Sequence, residues 1–323
     1  MTKDEAIHPS TRTVHMGGAD IHLTEWGTGP PVLFLHGNPD SGIMWEGIAE
    51  RLAGNYRCIA PDLPGFGHSE VPTSFERSLD GLAQFVEQFL DAATNGRPVD
   101  LVAHDFGGPF AFAWAVKHPE AVRRIVAINT LFFSDYRWHF WARVWRTPIL
   151  GELSMLAMNR PMFAHEIRRG SKRIREAHID RTWALMTPRM KKEVLRLYRA
   201  TDFANFQPWE SAFLKLVRAK PTLVIWGDKD PYVSSRFAER FNAQKGRAPC
   251  ANRPLGAGRS GGGMRRCHSA VSLRSRVSDR GRNPTCAIGH CASTRDRCQV
   301  ALVTSFAISA MAFLGGIQPL KEE

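Results

Sequence analysis

The stretch Leu101-Val102-Ala103-His104-Asp105-Phe106-Gly107-Gly108 decides how this chain folds. A short apolar run feeds a turn of the form small-x-nucleophile-x-small, and a helical pattern follows over residues 109–116. On so sharp a strand-to-helix turn the central side chain is pushed out of the backbone, and bulky neighbours would collide. Ala103, Gly107 and Gly108 meet that demand. Serine at the centre would imply acyl transfer. The residue is aspartate, and an ionised carboxylate is already a competent nucleophile at neutral pH, suited to displacement at a saturated carbon.

Outward from the turn, alternation and short apolar runs predict strands over residues 21–26, 32–35, 57–60, 99–103, 125–128 and 222–226. Residues 79–93 carry apolar side chains at helical spacing, and Pro61-Asp62-Leu63-Pro64-Gly65-Phe66-Gly67 is a Gly/Pro-punctuated loop. Strands alternating with helices predict an α/β fold with a doubly wound, mostly parallel sheet. Ligands of such sheets lie beyond the carboxyl ends of the strands, where His36, Asp105 and Asp230 all fall. From Leu131 to about Lys215 the pattern is helical, rich in Trp, Phe and Arg.

Two further motifs flank the turn in order. His36-Gly37-Asn38-Pro39 follows a buried strand, and Gly227-Asp228-Lys229-Asp230-Pro231 follows another. Together the three resemble the α/β-hydrolase family, and within it the branch of haloalkane dehalogenases and soluble epoxide hydrolases, over roughly residues 21–245. The first motif looks like that family's oxyanion loop in its dehalogenase form, and the second is similar to its acid turn. The resemblance implies an α/β-hydrolase core in residues 1–130 and 216–245, a helical cap inserted at 131–215, and an atypical tail at 246–323.

It also implies a cofactor-independent hydrolase acting on a small apolar alkyl halide or epoxide, with water as second substrate. Asp105 would form an alkyl ester, the N–H groups of Asn38 and Phe106 would hold the oxyanion of ester hydrolysis, and Asp230 would orient a histidine base. A departing halide needs N–H donors. Asn38 fits, whereas Phe106 stands where such enzymes carry an indole, so Trp138, Trp141 or Trp145 of the cap would have to substitute. An epoxide oxygen needs O–H donors, and Tyr136 and Tyr198 are the cap tyrosines available. Haloacetate dehalogenases need arginines where this chain has Phe106 and Pro109, which sets them aside.

Other conspicuous residues have plainer readings. His104 is a strand neighbour facing the other side of the sheet, His36 ties down the oxyanion loop, Asp228 is a turn residue, and His68 and Ser69 belong to a surface loop. Tyr136-Arg137-Trp138-His139-Phe140-Trp141-Ala142-Arg143-Val144-Trp145-Arg146 has the aromatic-basic look of a single-strand nucleic-acid surface. Cap aromatics over an apolar pocket account for it without a second function. Of the net charge of +12, +8 falls after Lys245, so the hydrolase part is not notably basic and no nucleic-acid partner is expected. The first ten residues lack an apolar signal run, which predicts a cytoplasmic setting.

The tail departs from the family. Where an eighth strand, a Gly-His turn and a last helix are due, the chain turns rich in Arg, Gly, Ser and Cys, with no lysine between Lys245 and Lys321. A shifted reading frame in GC-rich DNA yields such a composition. Arg253-Pro254-Leu255 encoded CGG-CCA-CTG, read one base on, gives Gly-His-Trp, similar to the family's histidine turn. Taken literally, the tail offers His290 in Ala287-Ile288-Gly289-His290, or His268, as the base. Without a working histidine the chain would be an inactive or trapped hydrolase fold. Cys267, Cys286, Cys291 and Cys298 lack the paired spacing of a zinc site, and no metal or other cofactor is expected. The 18 residues 300–317 are apolar, and a shifted frame or a docked helix explains them better than a membrane anchor.

Overall fold

The structure, a computed structural model, describes residues 8–171, 174–227, 229–243 and 298–302. Eight strands form one sheet: β1 (Ser10–Met16), β2 (Ala19–Trp26), β3 (Pro31–Leu35), β4 (Arg57–Pro61), β5 (Val99–Asp105), β6 (Val122–Thr130), β7 (Thr222–Trp226) and β8 (Cys298–Leu302). Their spatial order is β1-β2-β4-β3-β5-β6-β7-β8. The pairs β1/β2 and β2/β4 are antiparallel, and every later pair is parallel. The expected α/β-hydrolase sheet is therefore present.

Central strands are apolar on both faces, as a sheet covered on both sides requires. Alternation then sorts their residues into two cores. Leu33, Leu35, Leu101, Ala103, Ile125 and Trp226 pack into one, and Val32, Phe34, Val102, Val126 and Ile225 into the other. Helices α1 (Glu46–Leu52), α2 (Leu79–Thr94) and α3 (Gly107–Lys117) link the first strands. The Ser78 hydroxyl accepts from Gly81 N–H at the start of α2, a standard cap.

Between β6 and β7 lie α4 (Phe140–Arg146), α5 (Leu150–Ala157), α6 (Arg160–Gly170), α7 (Glu176–Leu185), α8 (Pro188–Ala200) and α9 (Gln207–Ala219), with no strand among the described residues there. After β7 comes α10 (Arg236–Ala243). The six strands and the helices at 79–93 and 109–116 read from the sequence all form, with ends extended by a few residues.

Three features differ from the sequence reading. Strand β1 is additional: its burial alternates only weakly, and its partner β2 defines it by register, Ser10 opposite Glu25 through Met16 opposite Ala19. Strand β8 forms the far edge, with Cys298 opposite Thr222 and Leu302 opposite Trp226, where the atypical tail made a last strand doubtful. Long-range pairing to β7 carries that strand, and the local pattern before residue 299 does not announce it. Ser69, expected in a surface loop, is buried because its hydroxyl donates to the Asp62 carbonyl (2.8 Å) and accepts from His22 N–H (2.9 Å).

Candidate active site

Asp105 ends β5 with φ of +49°, a left-handed conformation for a residue that has a Cβ. Close packing enforces it. A Cβ on Gly37 would lie 2.3 Å from Asp105 Cβ, and one on Gly107 would lie 2.2 Å from the Leu35 carbonyl oxygen. On Gly108 it would meet Thr130 Oγ1 at 1.8 Å, and that hydroxyl donates to the Asp105 carbonyl (2.6 Å). The small residues of the turn are thus needed by neighbours on three sides.

The carboxylate of Asp105 accepts from the backbone N–H of Asn38 (3.0 Å to Oδ1), and the Phe106 N–H lies beside it. Deep burial raises its pKa and the charge of Asp230 adds to the rise, while His104 and the two N–H groups oppose it.

Beside this carboxylate lies a cluster of rings, joined by residues of the helical stretch between β6 and β7. Phe106 lies 4.9 Å from Tyr198 and 6.3 Å from Trp138, and Trp138 lies 5.2 Å from Tyr198 and 4.8 Å from Phe203, between ring centroids. The Asn38 side chain meets the Tyr198 hydroxyl at 3.2 Å. Tyr136 is buried beside Trp138 but donates its hydroxyl proton to the Tyr232 carbonyl (3.0 Å). Two surface hollows, of about 750 and 380 Å³, lie elsewhere, around Arg77 and Arg196 and around Glu210 and Lys215. Around Asp105 the walls are aromatic and closely packed.

Asp230 stands just past β7. Its carboxylate accepts from Tyr232 N–H (2.7 Å), Val233 N–H (2.8 Å) and the Asn129 amide. Asn129, near the end of β6 with φ of +37°, also accepts from Gly227 N–H (3.2 Å) and so ties the two strand ends together. Sequence reading missed Asn129. Its one local signal is a polar residue closing an apolar strand, which many strands share.

Of the expected site residues, the structure brings together Asp105, Asn38, Phe106, Trp138, Tyr198 and Tyr136, with Asp230 near enough to act on Asp105 by its charge. Trp141 is apart from them: its ring neighbours are Phe140 and Trp145. His290, His268 and Asp228 lie outside the described residues, as do Cys267, Cys286 and Cys291.

Two described histidines are committed to structure. His36 donates from Nδ1 to the Gly37 carbonyl and accepts at Nε2 from Leu63 N–H, both at 2.9 Å, and burial lowers its pKa. His139 accepts at Nδ1 from Ala142 N–H (3.3 Å) as the cap of α4, and burial pulls it down to about 4. Among the described residues no group of three or more His, Cys, Asp or Glu side chains could hold a metal, and no helix is long and apolar enough to cross a membrane.

A sequence profile of the α/β-hydrolase fold matches residues 30–255. Haloalkane dehalogenase 2 of Mycobacterium tuberculosis is 30% identical over 250 residues, which are 71% of this chain and 82% of that protein. A cis-3-alkyl-4-alkyloxetan-2-one decarboxylase of Shewanella oneidensis is 26% identical over 248 residues, covering 69% and 74% respectively. Among solved structures, an ancestral haloalkane dehalogenase superposes with a TM-score of 0.61 at 29% identity, covering 72% of this chain and 86% of its own.

Proposed function

From the premise that this chain belongs to the α/β-hydrolase fold family, in its haloalkane dehalogenase-like branch, we propose that it hydrolyses carbon–halogen bonds of small apolar alkyl halides through an ester on Asp105. The observation that carries this reading is the Asp105 carboxylate at a strand tip, one oxygen held by Asn38 N–H and an aromatic wall beside it. In the first step the other carboxylate oxygen attacks the sp³ carbon, a C–O bond forms, and the halide leaves with the bonding pair. The Asn38 amide supplies N–H character to the halide, and Trp138 lines the same wall.

In the second step water adds to the ester carbonyl of Asp105, and the N–H groups of Asn38 and Phe106 hold the oxyanion. Collapse releases the alcohol and restores the carboxylate. Asp230 orients and charge-balances the histidine that takes the proton from water. His290 is assigned that role, and it lies outside the described residues. The domain division at residues 131 and 215, with a helical cap over the core, belongs to the same reading, as does the absence of any cofactor requirement.

Epoxide opening is the second reading. Tyr198 favours it, being a cap phenol beside Asn38, but Tyr136 already spends its proton on the Tyr232 carbonyl. A one-donor site suits halide departure better than alkoxide departure.

Bromide release from 1-bromobutane, run beside diol formation from styrene oxide, tests the assignment. We expect bromide, and an intact-mass increase of one butyl group that Asp105→Ala abolishes. Equal bromide release by Asp105→Ala would overturn the reading. Diol without bromide would replace it with the epoxide reading.

A further inference from the structure

Asn38, in the loop after β3, and Tyr198, on α8, face each other with the amide nitrogen 3.2 Å from the phenol oxygen. With nitrogen as the donor, this contact leaves two groups unspent. The amide oxygen of Asn38 is buried and has no hydrogen-bond partner. No described residue accepts the phenol's own proton. A buried acceptor without a donor costs free energy, and here it would also turn a partial negative charge toward the place where an anion departs.

The two ends of an asparagine amide have the same shape, so their placement is decided by hydrogen bonding. Turned by half a rotation, the amide oxygen receives the phenol proton and both N–H bonds occupy the side where the orphan oxygen stood. The phenol has that proton to give. Burial and the nearby charge of Asp105 raise its pKa well above the ordinary tyrosine value. Its ring is fixed from three sides, by Phe106 at 4.9 Å, Trp145 at 5.0 Å and Trp138 at 5.2 Å.

We propose that Tyr198 is a positioning residue whose hydroxyl donates to the Asn38 amide oxygen and thereby turns the amide NH2 group toward the departing halide. The assignment rests on the Asp105-ester reading and adds to it the group that gives the leaving-group donor its polarity. It matters more in this chain than where an indole follows the nucleophile, because the Phe106 side chain has no N–H to share the load. It also changes the meaning of the cap tyrosine, which serves the amide and does not itself protonate a leaving oxygen.

The test is the first-turnover rate of halide release from 1-chlorobutane and 1-iodobutane, measured for the full chain and for Tyr198→Phe, Asn38→Ala and the double variant. Phenylalanine keeps the ring packing and removes only the hydroxyl. Chloride is the poorer leaving group and the stronger hydrogen-bond acceptor, so Tyr198→Phe should slow the chloride reaction by roughly tenfold more than the iodide reaction. In the double variant the hydroxyl's loss should add little to that of Asn38→Ala, because the two act as one unit.

Equal slowing of both halides, or additive losses in the double variant, overturns the assignment and leaves the Asp105 ester standing. So does an enzyme that Tyr198→Phe disables toward styrene oxide alone. Halide release from neither substrate by the full chain overturns the carbon–halogen reading, and this assignment with it.

Discussion

The side-chain amide of Asn129 donates to the carboxylate of Asp230, joining the ends of two neighbouring parallel strands. Asp230 takes its remaining hydrogen bonds from Tyr232 and Val233 N–H at 2.7 and 2.8 Å, so three donors fix the direction of its free lone pairs. The role proposed for Asp230, orienting a histidine, needs such fixing.

Asn129→Ala should therefore spare alkylation and slow ester hydrolysis, roughly 10- to 100-fold, because it loosens Asp230 and leaves Asp105 untouched. Intact mass during turnover of 1-bromobutane checks this: the alkylated form should accumulate in the variant. Slowed alkylation with no accumulation would place Asn129 elsewhere in the cycle.

Asp105→Asn should be more stable than the parent. Burial and Asp230 raise the folded-state pKa of Asp105, so its ionised form costs stability as pH rises from the unfolded carboxylate value through the folded one. An amide carries no such cost and tolerates the same left-handed φ. The expected gain is about 2–5 °C in Tm near pH 7, shrinking as pH falls and the native carboxyl takes up its proton. Thermal melts of both proteins at several pH values would show it.

The pH profile of the first turnover carries the same sign. In the proposed mechanism only the carboxylate attacks, so halide release should fall as pH drops, with a midpoint above the ordinary aspartate value of about 4. Asp230→Asn should move that midpoint down, since the charge of Asp230 is one of the causes of the rise. An unmoved midpoint would mean that the two carboxylates do not sense each other.

Gly108→Ala should cost more than an alanine in a helix normally would. The added Cβ meets Thr130 Oγ1 at 1.8 Å, and the hydroxyl it displaces is the donor to the Asp105 carbonyl. A loss of about 1–3 kcal/mol is expected. Paired with Thr130→Ala it should cost less, as denaturant unfolding of the single and double variants would report.

How far the sequence reached depended on how local each signal was. The turn around Asp105 was legible because its small residues answer a local steric demand, now visible as contacts to Asp105 itself, Leu35 and Thr130. The apolar strands were legible because alternation or burial marks each one alone. Strands β1 and β8 were not, since each is defined by the partner beside it. Asn129 escaped for a similar reason: a polar residue at a strand end acquires meaning only when β7 brings Asp230 alongside.

The three tryptophans between residues 138 and 145 show the limit most plainly. Trp138, Trp141 and Trp145 were equivalent in the sequence, spaced along one aromatic stretch. Folding set Trp138 against Phe106, left Trp141 with Phe140 and Trp145, and turned Trp145 edge-on to Tyr198.

By itself, then, the sequence determined the inner strands of the sheet, the sharp turn and the carboxylate at its tip, because steric exclusion and hydrophobic periodicity act over a few residues. Tertiary structure alone decided which side chains meet that carboxylate. The loop after β3, the end of β6 and helix α8 are far apart along the chain, and their hydrogen bonds and ring contacts arise only when packing against a common core brings them within a few ångströms.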